Sequence, residues 1–315
     1  MSAGIQSQIS FKKETQWGTA VVPDKSIAVR PSGGIINKPN VQLIPAVKGL
    51  LAKNHNAIKG KVSYEGDFTM DTFADYVGYF LLCALGTDSP ALHSGESTVY
   101  DHVYTESVPK PSLTIEQAIG ENVRRYAGCL VTGFKLSAKP GEMVELVASI
   151  MAKTQATATE ITGAFSTVKA FDHTQVQVKI GGSVIGEFEN FELEYKNGSE
   201  MVYALGSAEP SYKDINGGSQ VTFKGDVYLD STTAAKIANL LSNTHEAVEI
   251  VITGGAIGNA AAYVLDIQIP EGVYTAMDSK ITADHNLLSI SGEGIYNVSA
   301  GKLLAVTLTN LVTAY

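Results

Sequence analysis

The sequence predicts a mainly β protein of two tandem domains, each a β-sandwich or barrel with one α-helix, that arose by internal duplication. Three observations lead to this prediction. A ten-residue segment occurs twice, most of the chain alternates apolar and polar residues as strands do, and a helix-like stretch follows each copy of the segment. A chain of 315 residues is also long enough for two cores of ordinary size.

The repeated segment reads VSYEGDFTMD at 62–71 and VTFKGDVYLD at 221–230. The copies lie about half a chain apart, which indicates two similar domains rather than a solenoid of short units. A polar stretch near the midpoint, 154–162, divides the chain into domains 1–158 and 159–315. The identical pairs of the repeat are Val62 and Val221, Gly66 and Gly225, Asp67 and Asp226, and Asp71 and Asp230.

Each copy of the repeat leads into a predicted helix. The first helix runs from Asp71 through Leu85, with Asp71 as N-cap, its apolar residues on one stripe, and Gly86 as the stop. The second runs from about Ser231 to Ser242 and carries its own apolar stripe. Each domain is therefore predicted to run strand, helix and further strands.

The remaining elements are strands and one long loop. A hairpin is predicted around Gly181-Gly182, and the strand after it alternates apolar residues with Glu192 and Glu194, which gives it one acidic face. The segment 86–111 is polar, and we expect it to have no regular structure. A loop of that length is unusual without a function. We hypothesise that it reaches a neighbouring subunit; the alternative is a tolerated surface insertion.

Composition and charge exclude some classes of function. The formal net charge is −9 and no basic run is present, which argues against a protein that grips phosphate backbones. The N-terminal residues lack the pattern of a signal peptide, and no apolar run is long enough to span a membrane, so we expect a cytoplasmic product with no membrane partner. Cys83 and Cys129 stand in apolar surroundings and are predicted to be buried free thiols.

No catalytic or cofactor motif is apparent. The six histidines lack metal-ligand spacing, and no P-loop, dinucleotide-binding loop or nucleophile elbow occurs. Carboxylates are plentiful, but nothing singles out a glycosidase-like pair. We therefore predict a protein that is not an enzyme and that uses no metal or cofactor.

Four segments carry a resemblance to a known family. They are KKETQWGTAVVP (12–23), YEGDFTMDTFADYVGYFLLCALG (64–86), FENFELEYKNG (188–198) and VTFKGDVYLDSTTAAKIANLL (221–241). Together they resemble the tail tube proteins of long-tailed, siphovirus-like bacteriophages, over most of the chain, through spaced apolar, Gly and Asp positions rather than catalytic residues.

The resemblance implies a structural virion protein. Its subunits would form rings whose inner strands join, and the rings would stack into a tail tube that delivers double-stranded DNA without binding it specifically. Other tail proteins (tape measure, terminator and distal tail) would be partners, and assembly would take place in the cytoplasm of the host bacterium. Two domains per chain favour a ring of three chains with pseudo-sixfold symmetry; a ring of six chains, each with one domain on the outside, is the alternative.

Elementary physics supports this interpretation. Exposed sheet edges tend to pair, and a closed ring removes them. A bore lined with carboxylates would repel phosphates. The candidate lumen residues are Glu187, Glu189, Glu192 and Glu194; an exposed outer strand is the alternative. Ring stacking would use the loop 86–111, the N-terminal arm 1–23 or the C-terminal strand 303–315, and we expect that strand to be covered by its own domain or by the next ring.

Two other classes of function stay open from the sequence. One is a baseplate or receptor-binding module on the same fold, for which Tyr100 and Tyr104 in the long loop are the suggestive aromatics. The other is a β-rich enzyme such as a glycan hydrolase, which would need a cleft with convergent carboxylates.

Overall fold

The computed structural model describes residues 7–45, 48–49, 51, 53–161, 163–185, 188–229, 233, 237, 239, 242–281 and 286–315. Strands make up 61% of the chain, so the predicted mainly β class is confirmed. The sheets do not close into a barrel, and the arrangement is consistent with a β-sandwich.

The strands follow one another along the whole chain. In the first half they are β1 (Gln8–Lys13), β2 (Lys25–Ile27), β3 (Val29–Gly33), β4 (Ile36–Pro45), β5 (Asn54–Asp71), β6 (Gly86–Leu92), β7 (Tyr100–Glu106), β8 (Leu113–Ile119), β9 (Asn122–Ala138), β10 (Glu145–Ala152) and β11 (Thr154–Thr157). In the second half they are β12 (Ala164–Phe165), β13 (Val176–Ile180), β14 (Ser183–Val184), β15 (Phe188–Lys196), β16 (Ser199–Val202), β17 (Tyr212–Ile215), β18 (Gln220–Tyr228), β19 (Glu246–Ile257), β20 (Ala261–Ile281), β21 (Asn286–Gly294) and β22 (Ala305–Asn310). The helices are α1 (Val77–Leu85) and a short 3₁₀ turn (His173–Gln175).

One antiparallel sheet, here called the long sheet, runs through both halves of the chain. Its order is β4–β5–β10–β9–β15–β18–β21–β20, with β3 also paired to β5. The first half supplies the first four strands and the second half the last four. The junction between the halves is the β9–β15 pair, so the sheet continues past the chain midpoint without a break.

Two long strands carry the chain from the long sheet into further sheets. The N-terminal part of β20 pairs with β19 and β22, which builds a second sheet of order β14–β13–β19–β20–β22–β7–β6. The N-terminal part of β9 pairs with β8 and β11 in a third sheet, which also holds β1, β2 and β12. Buried residues of all three sheets share one hydrophobic cluster, and burial of that apolar surface is the main force that holds the layers together.

Helix α1 is shorter than predicted. Asp71 is not its N-cap, because the residue ends β5 and its carboxylate is held by Arg30 at 2.8 Å. The cap position is Tyr76, without a side-chain cap. Gly86 ends the helix as predicted, with φ of 118° and an N–H that donates to the Leu82 carbonyl. All but one of its residues are buried, so the helix is apolar around its circumference rather than along one stripe.

The second predicted helix, 231–242, lies largely outside the described residues; Thr233, Ile237 and Asn239 within it are helical. The predicted Gly-Gly hairpin is confirmed as β13–β14, with its first residues in the 3₁₀ turn. Cys83 and Cys129 are buried free thiols, as predicted, and burial raises the pKa of Cys83 to about 12.

The segment 86–111 is not an unstructured loop. It forms the hairpin β6–β7, and β7 pairs with β22 over five residues from Tyr104 to Tyr100. Tyr104 and His102 of this hairpin are fully buried. The alternation of buried and exposed residues in β7 is short, and the cross-strand partner lies two hundred residues away, which is why local sequence did not reveal the strand. The C-terminal strand β22 is thus covered within its own chain.

Candidate functional site: the polar face and the open edges of the long sheet

One face of the long sheet is apolar and packs on the core, and the other carries the charged side chains. In β15, Leu193 and Tyr195 are fully buried, whereas Glu192 and Glu194 between them are partly exposed. Residues directly opposite each other in an antiparallel pair share a face. Because Glu192 lies opposite Lys224 and Glu194 opposite Lys135, these four charged side chains share the face called here the polar face.

The charges on the polar face form networks. Glu192 accepts from Lys224 at 2.8 Å and lies 3.3 Å from Lys135. Partial burial alone would raise the pKa of Glu192, but the two ion pairs outweigh burial and hold the pKa below its ordinary value. Glu194 pairs with Lys196 at 2.9 Å. The face is therefore acidic but partly compensated, not a row of unpaired carboxylates.

The four glutamates singled out from the sequence do not all lie together. Glu192 and Glu194 share the polar face, as the alternation requires. Glu189 is exposed at an irregularity where β15 skips one residue against β18, so it leaves the regular alternation. Glu187 lies outside the described residues.

Further carboxylates of the polar face come from other strands, and single-strand alternation could not assign them to it. They are Glu65, Asp67, Asp71, Glu145, Asp226, Asp278 and Glu293, placed by direct pairing across β5, β10, β18, β20 and β21. The basic residues on the described part of the face are Arg30, Lys38, Lys61, Lys135, Lys196 and Lys224. Acidic side chains therefore outnumber basic ones there. The sequence could have placed these carboxylates on the polar face only with the partner and register of each neighbouring strand known, because the polar positions of paired strands then lie on the same face.

The repeated segment lies in two strands of the long sheet, β5 and β18. Val62 and Val221 are buried in the core. A Cβ on Gly66 would lie closer than 3.0 Å to the backbone at Gly34, and a Cβ on Gly225 would lie 2.7 Å from the Asn190 carbonyl. Both glycines therefore permit a close approach of the neighbouring strand.

The aspartates of the repeat hold neighbouring strands together. Asp226 accepts from Asn190 of β15 at 2.9 Å and from Ser289 of β21. Asp71 accepts from Arg30 of β3. Asp67 is exposed, and Asp230 lies outside the described residues. The motif therefore builds the sheet, and it forms no reactive centre in the described residues.

Both ends of the long sheet are open in the described part of the chain. At one end, residues 273–281 of β20 pair with β21 alone, and at the other, β3 and β4 pair with β5 alone. Ile36, Val41 and Leu43 of β4 are each more than half exposed. An open strand with exposed apolar side chains is a site where another chain can pair.

On the polar face, a cavity of about 220 Å³ is lined by Glu192, Glu194 and Glu293 together with Lys224, which pairs with Glu192. A cavity of about 570 Å³ lies beside β13 and β15, and its titratable side chains are Lys139 and His173, without a carboxylate. Glycoside hydrolysis needs two convergent carboxylates. In the described residues no group of His, Cys, Asp and Glu is arranged to hold a metal ion, and no described helix has the length and apolarity needed to cross a bilayer.

Comparison with known proteins gives one family. The family model described as phage tail tube protein matches residues 4–303. A search of curated proteins gave no match.

Proposed function

This chain belongs to the phage tail tube protein family, and on that premise we propose that three copies close the long sheet into a ring whose polar face lines the bore. A structural role in the tail tube, self-assembly into that tube together with other tail proteins, and a location in the virion tail follow from the family. The number of chains per ring and the identity of the inner face are our inference from the geometry.

The continuity of the long sheet supports three chains rather than six. The six-chain alternative places one domain of each chain outside the ring. In this structure, however, each half supplies four strands of the same sheet, joined through β9 and β15. Moving either half to the outside would break that pairing and expose the buried residues on both sides of the junction.

The size of the bore is consistent with a ring of three chains. Three copies of eight strands give a ring of about 24 strands, and strands about 4.8 Å apart and tilted by about 40° then give a backbone diameter of about 48 Å. Inward side chains leave roughly 35 Å, which admits a DNA duplex about 20 Å wide. Six copies that each contributed all eight strands would give a diameter of about 96 Å, far wider than one duplex needs. Six copies with one domain outside would again give about 24 strands, so only the continuity of the sheet favours three chains over that alternative.

The polar face suits a bore that carries DNA. Acidic side chains outnumber basic ones on its described part, so the surface repels phosphates on balance, and the ion pairs of Glu192 hold the basic side chains away from DNA. The opposite face is apolar and packs on the core, so it is not available to line an aqueous bore. We propose that assembly takes place in the host cytoplasm before the tail is complete.

Two similar halves explain how three chains make a sixfold-like ring. We propose that residues 1–158 and 159–315 are duplicated units, because the repeated segments occupy β5 and β18, each the second of the four strands that its half contributes to the long sheet. The tape measure, terminator and distal tail proteins are the proposed partners inside and at the ends of the tube.

Electron microscopy of the purified protein tests the proposal. We expect stacked rings, and class averages viewed down the axis that show three strong repeats, because hairpins β4–β5 and β6–β7 occur in the first half of each chain. Six identical repeats would refute the three-chain ring. Monomers that persist at high concentration and under crowding would refute tube formation by this chain alone.

A further inference from the structure

The pairing of β9 with β15 inside one chain shows how two edges of this fold join. Lys135 lies opposite Glu194 and Phe134 opposite Tyr195 in an antiparallel ladder. In the order of the long sheet, this internal junction joins the last strand of the first half, β9, to the first strand of the second half, β15. The open edges of the chain are the corresponding strands: β20 ends the second half, and β4 begins the first.

The register identifies which residues of β9 and β20 correspond. The repeat glycines, Gly66 and Gly225, lie opposite an isoleucine in β10 and in β21. The position three residues before that isoleucine, in β10 and in β21, lies opposite a lysine of the strand on the other side. That lysine is Lys135 in β9 and Lys280 in β20. Position 280 therefore occupies in the second half the place of position 135 in the first.

The same reasoning matches β4 with β15. The valine that begins each copy of the repeat lies opposite Pro39 in β4 and opposite Tyr195 in β15. One residue earlier, Lys38 corresponds to Glu194. The correspondence extends in both strands to the residue opposite the aromatic position of the repeat, Asn37 in β4 and Leu193 in β15.

One groove lies beside β15, and another lies beside β3, which precedes β4 and pairs with the same strand, β5. The groove next to β15 has Ala138, Lys139 and Pro140 as one wall, and these residues come from the end of β9. The groove next to β3 is lined by residues such as Val29 and Gly33, and by β1, β5 and β8, without a comparable wall among the described residues. A strand from outside the chain would supply it.

We propose that β20 of one chain pairs antiparallel with β4 of a second copy in the register of the internal junction, which places position 280 opposite Lys38 and position 279 opposite Pro39. The partner is a second copy of this chain in the same ring, and the inference rests on the ring proposed above. Beyond that ring, the proposal assigns which two strands meet between copies and the register in which they pair.

The junction between copies is weaker than the internal one by its chemistry. Pro39 has no N–H to donate where the internal junction has Tyr195. Lys38 would lie opposite a lysine, where the internal junction has the oppositely charged pair Lys135 and Glu194. Like charges directly opposite are destabilising, and the ion pair of Lys38 with Glu65 at 3.0 Å only reduces that repulsion. Both features are typical of edges that resist unwanted pairing, and they make joining dependent on the closure of a complete ring.

Disulfide trapping tests the register. The variant pair Lys38→Cys and Lys280→Cys, oxidised in assembled tubes, is expected to give covalent multimers that stop at three chains on a non-reducing gel. Lys38→Cys with Thr275→Cys is the matched out-of-register pair, because position 275 lies about 17 Å further along the strand, beyond the reach of a disulfide. We expect at least about tenfold less cross-linked product from it. Lys135→Cys with Glu194→Cys tests the same position within one chain.

The outcomes separate the register from the proposed function. Suppose that tubes form under reducing conditions. Cross-linking through position 275 would then overturn the register and leave the tube role intact. The same holds if position 280 does not cross-link while the internal control does. Covalent multimers that stop at six chains would keep the register and overturn the three-chain ring. If the unmodified chain forms no rings or tubes, the proposed assembly fails, and the register fails with it. Cys83 and Cys129 are buried and do not compete for oxidation.

Discussion

Gly78 in helix α1 gives a prediction in which local propensity and tertiary packing have opposite signs. The residue is buried, and a Cβ added to it would lie closer than 3.0 Å to two ring carbons of Tyr315 and to the Tyr104 hydroxyl. Tyr315 cannot easily move, because its ring packs edge-on against Tyr79 at 4.8 Å and its hydroxyl donates to the backbone of the turn before the helix. Gly78→Ala must therefore displace the C-terminal tyrosine.

The magnitude follows from two opposing contributions to the free energy of unfolding. Replacing an interior helical glycine by alanine stabilises by about 1 kcal/mol. Overpacking a core costs about 1–3 kcal/mol, and displacing Tyr315 loses aromatic contacts of about 0.5–1.5 kcal/mol each. We expect Gly78→Ala to lower the free energy of unfolding by about 2 kcal/mol.

Urea unfolding of the monomer measures this change. Gly255→Ala is the matched control, since a Cβ there meets no atom within 4 Å and the glycine has no left-handed φ; we expect its effect to stay within about 0.5 kcal/mol. Adding Tyr315→Leu to Gly78→Ala should restore the stability of the Tyr315→Leu single variant or exceed it. A Gly78→Ala protein more stable than the parent would refute the packing argument.

Three further predictions concern the hairpin, the polar face and pH. Deleting residues 88–106 should abolish cooperative unfolding, because β7 pairs with β22 and buries Tyr104 and His102. Circular dichroism and gel filtration measure this. A folded monomer that fails only to assemble would instead support contact of this segment with a neighbouring subunit. Replacing Glu192 and Glu194 by lysine should slow DNA ejection from assembled particles while tubes still form. The glutamine variants are the charge-removal control. An unchanged ejection rate would count against the place of these residues in the bore. Burial alone would lower the pKa of His102, but hydrogen bonds to Asp88 at 2.9 Å and to the Val312 carbonyl at 2.8 Å outweigh burial and raise that pKa. The stabilisation of the folded state by protonated His102 is therefore complete below the unfolded pKa of about 6.5 and is lost as pH rises through the higher folded pKa. The urea midpoint should fall over that pH range, and His102→Gln should flatten the fall. Parallel pH profiles for both proteins would contradict this.

Local sequence was sufficient where one strand or turn decides the outcome. The alternation in β15 placed Glu192 and Glu194 on one face, because side chains of a strand point to opposite sides whatever the strand pairs with. Gly86 ended α1, because the left-handed conformation at a helix C-terminus favours glycine. Family membership also followed from spaced apolar, Gly and Asp positions, which are the positions that build the sheet.

Local sequence failed where a distant partner decides the outcome. Asp71 has the chemistry of an N-cap, but Arg30 from another strand holds its carboxylate. The polar segment 86–111 lacks a long alternating pattern, yet it forms strands because β22 supplies the hydrogen-bonding partner and the buried face for Tyr104.

The amino-acid sequence by itself determined the β class, the helix stop, the buried thiols and the family of this protein, because each depends on the periodicity or conformational preference of neighbouring residues. Only the tertiary structure decided that both halves share one sheet, that carboxylates from six strands meet on one face, and which two edges stay open. Strand pairing and register depend on hydrogen bonds and packing between residues far apart in the chain, and no local pattern specifies which of many similar strands become neighbours.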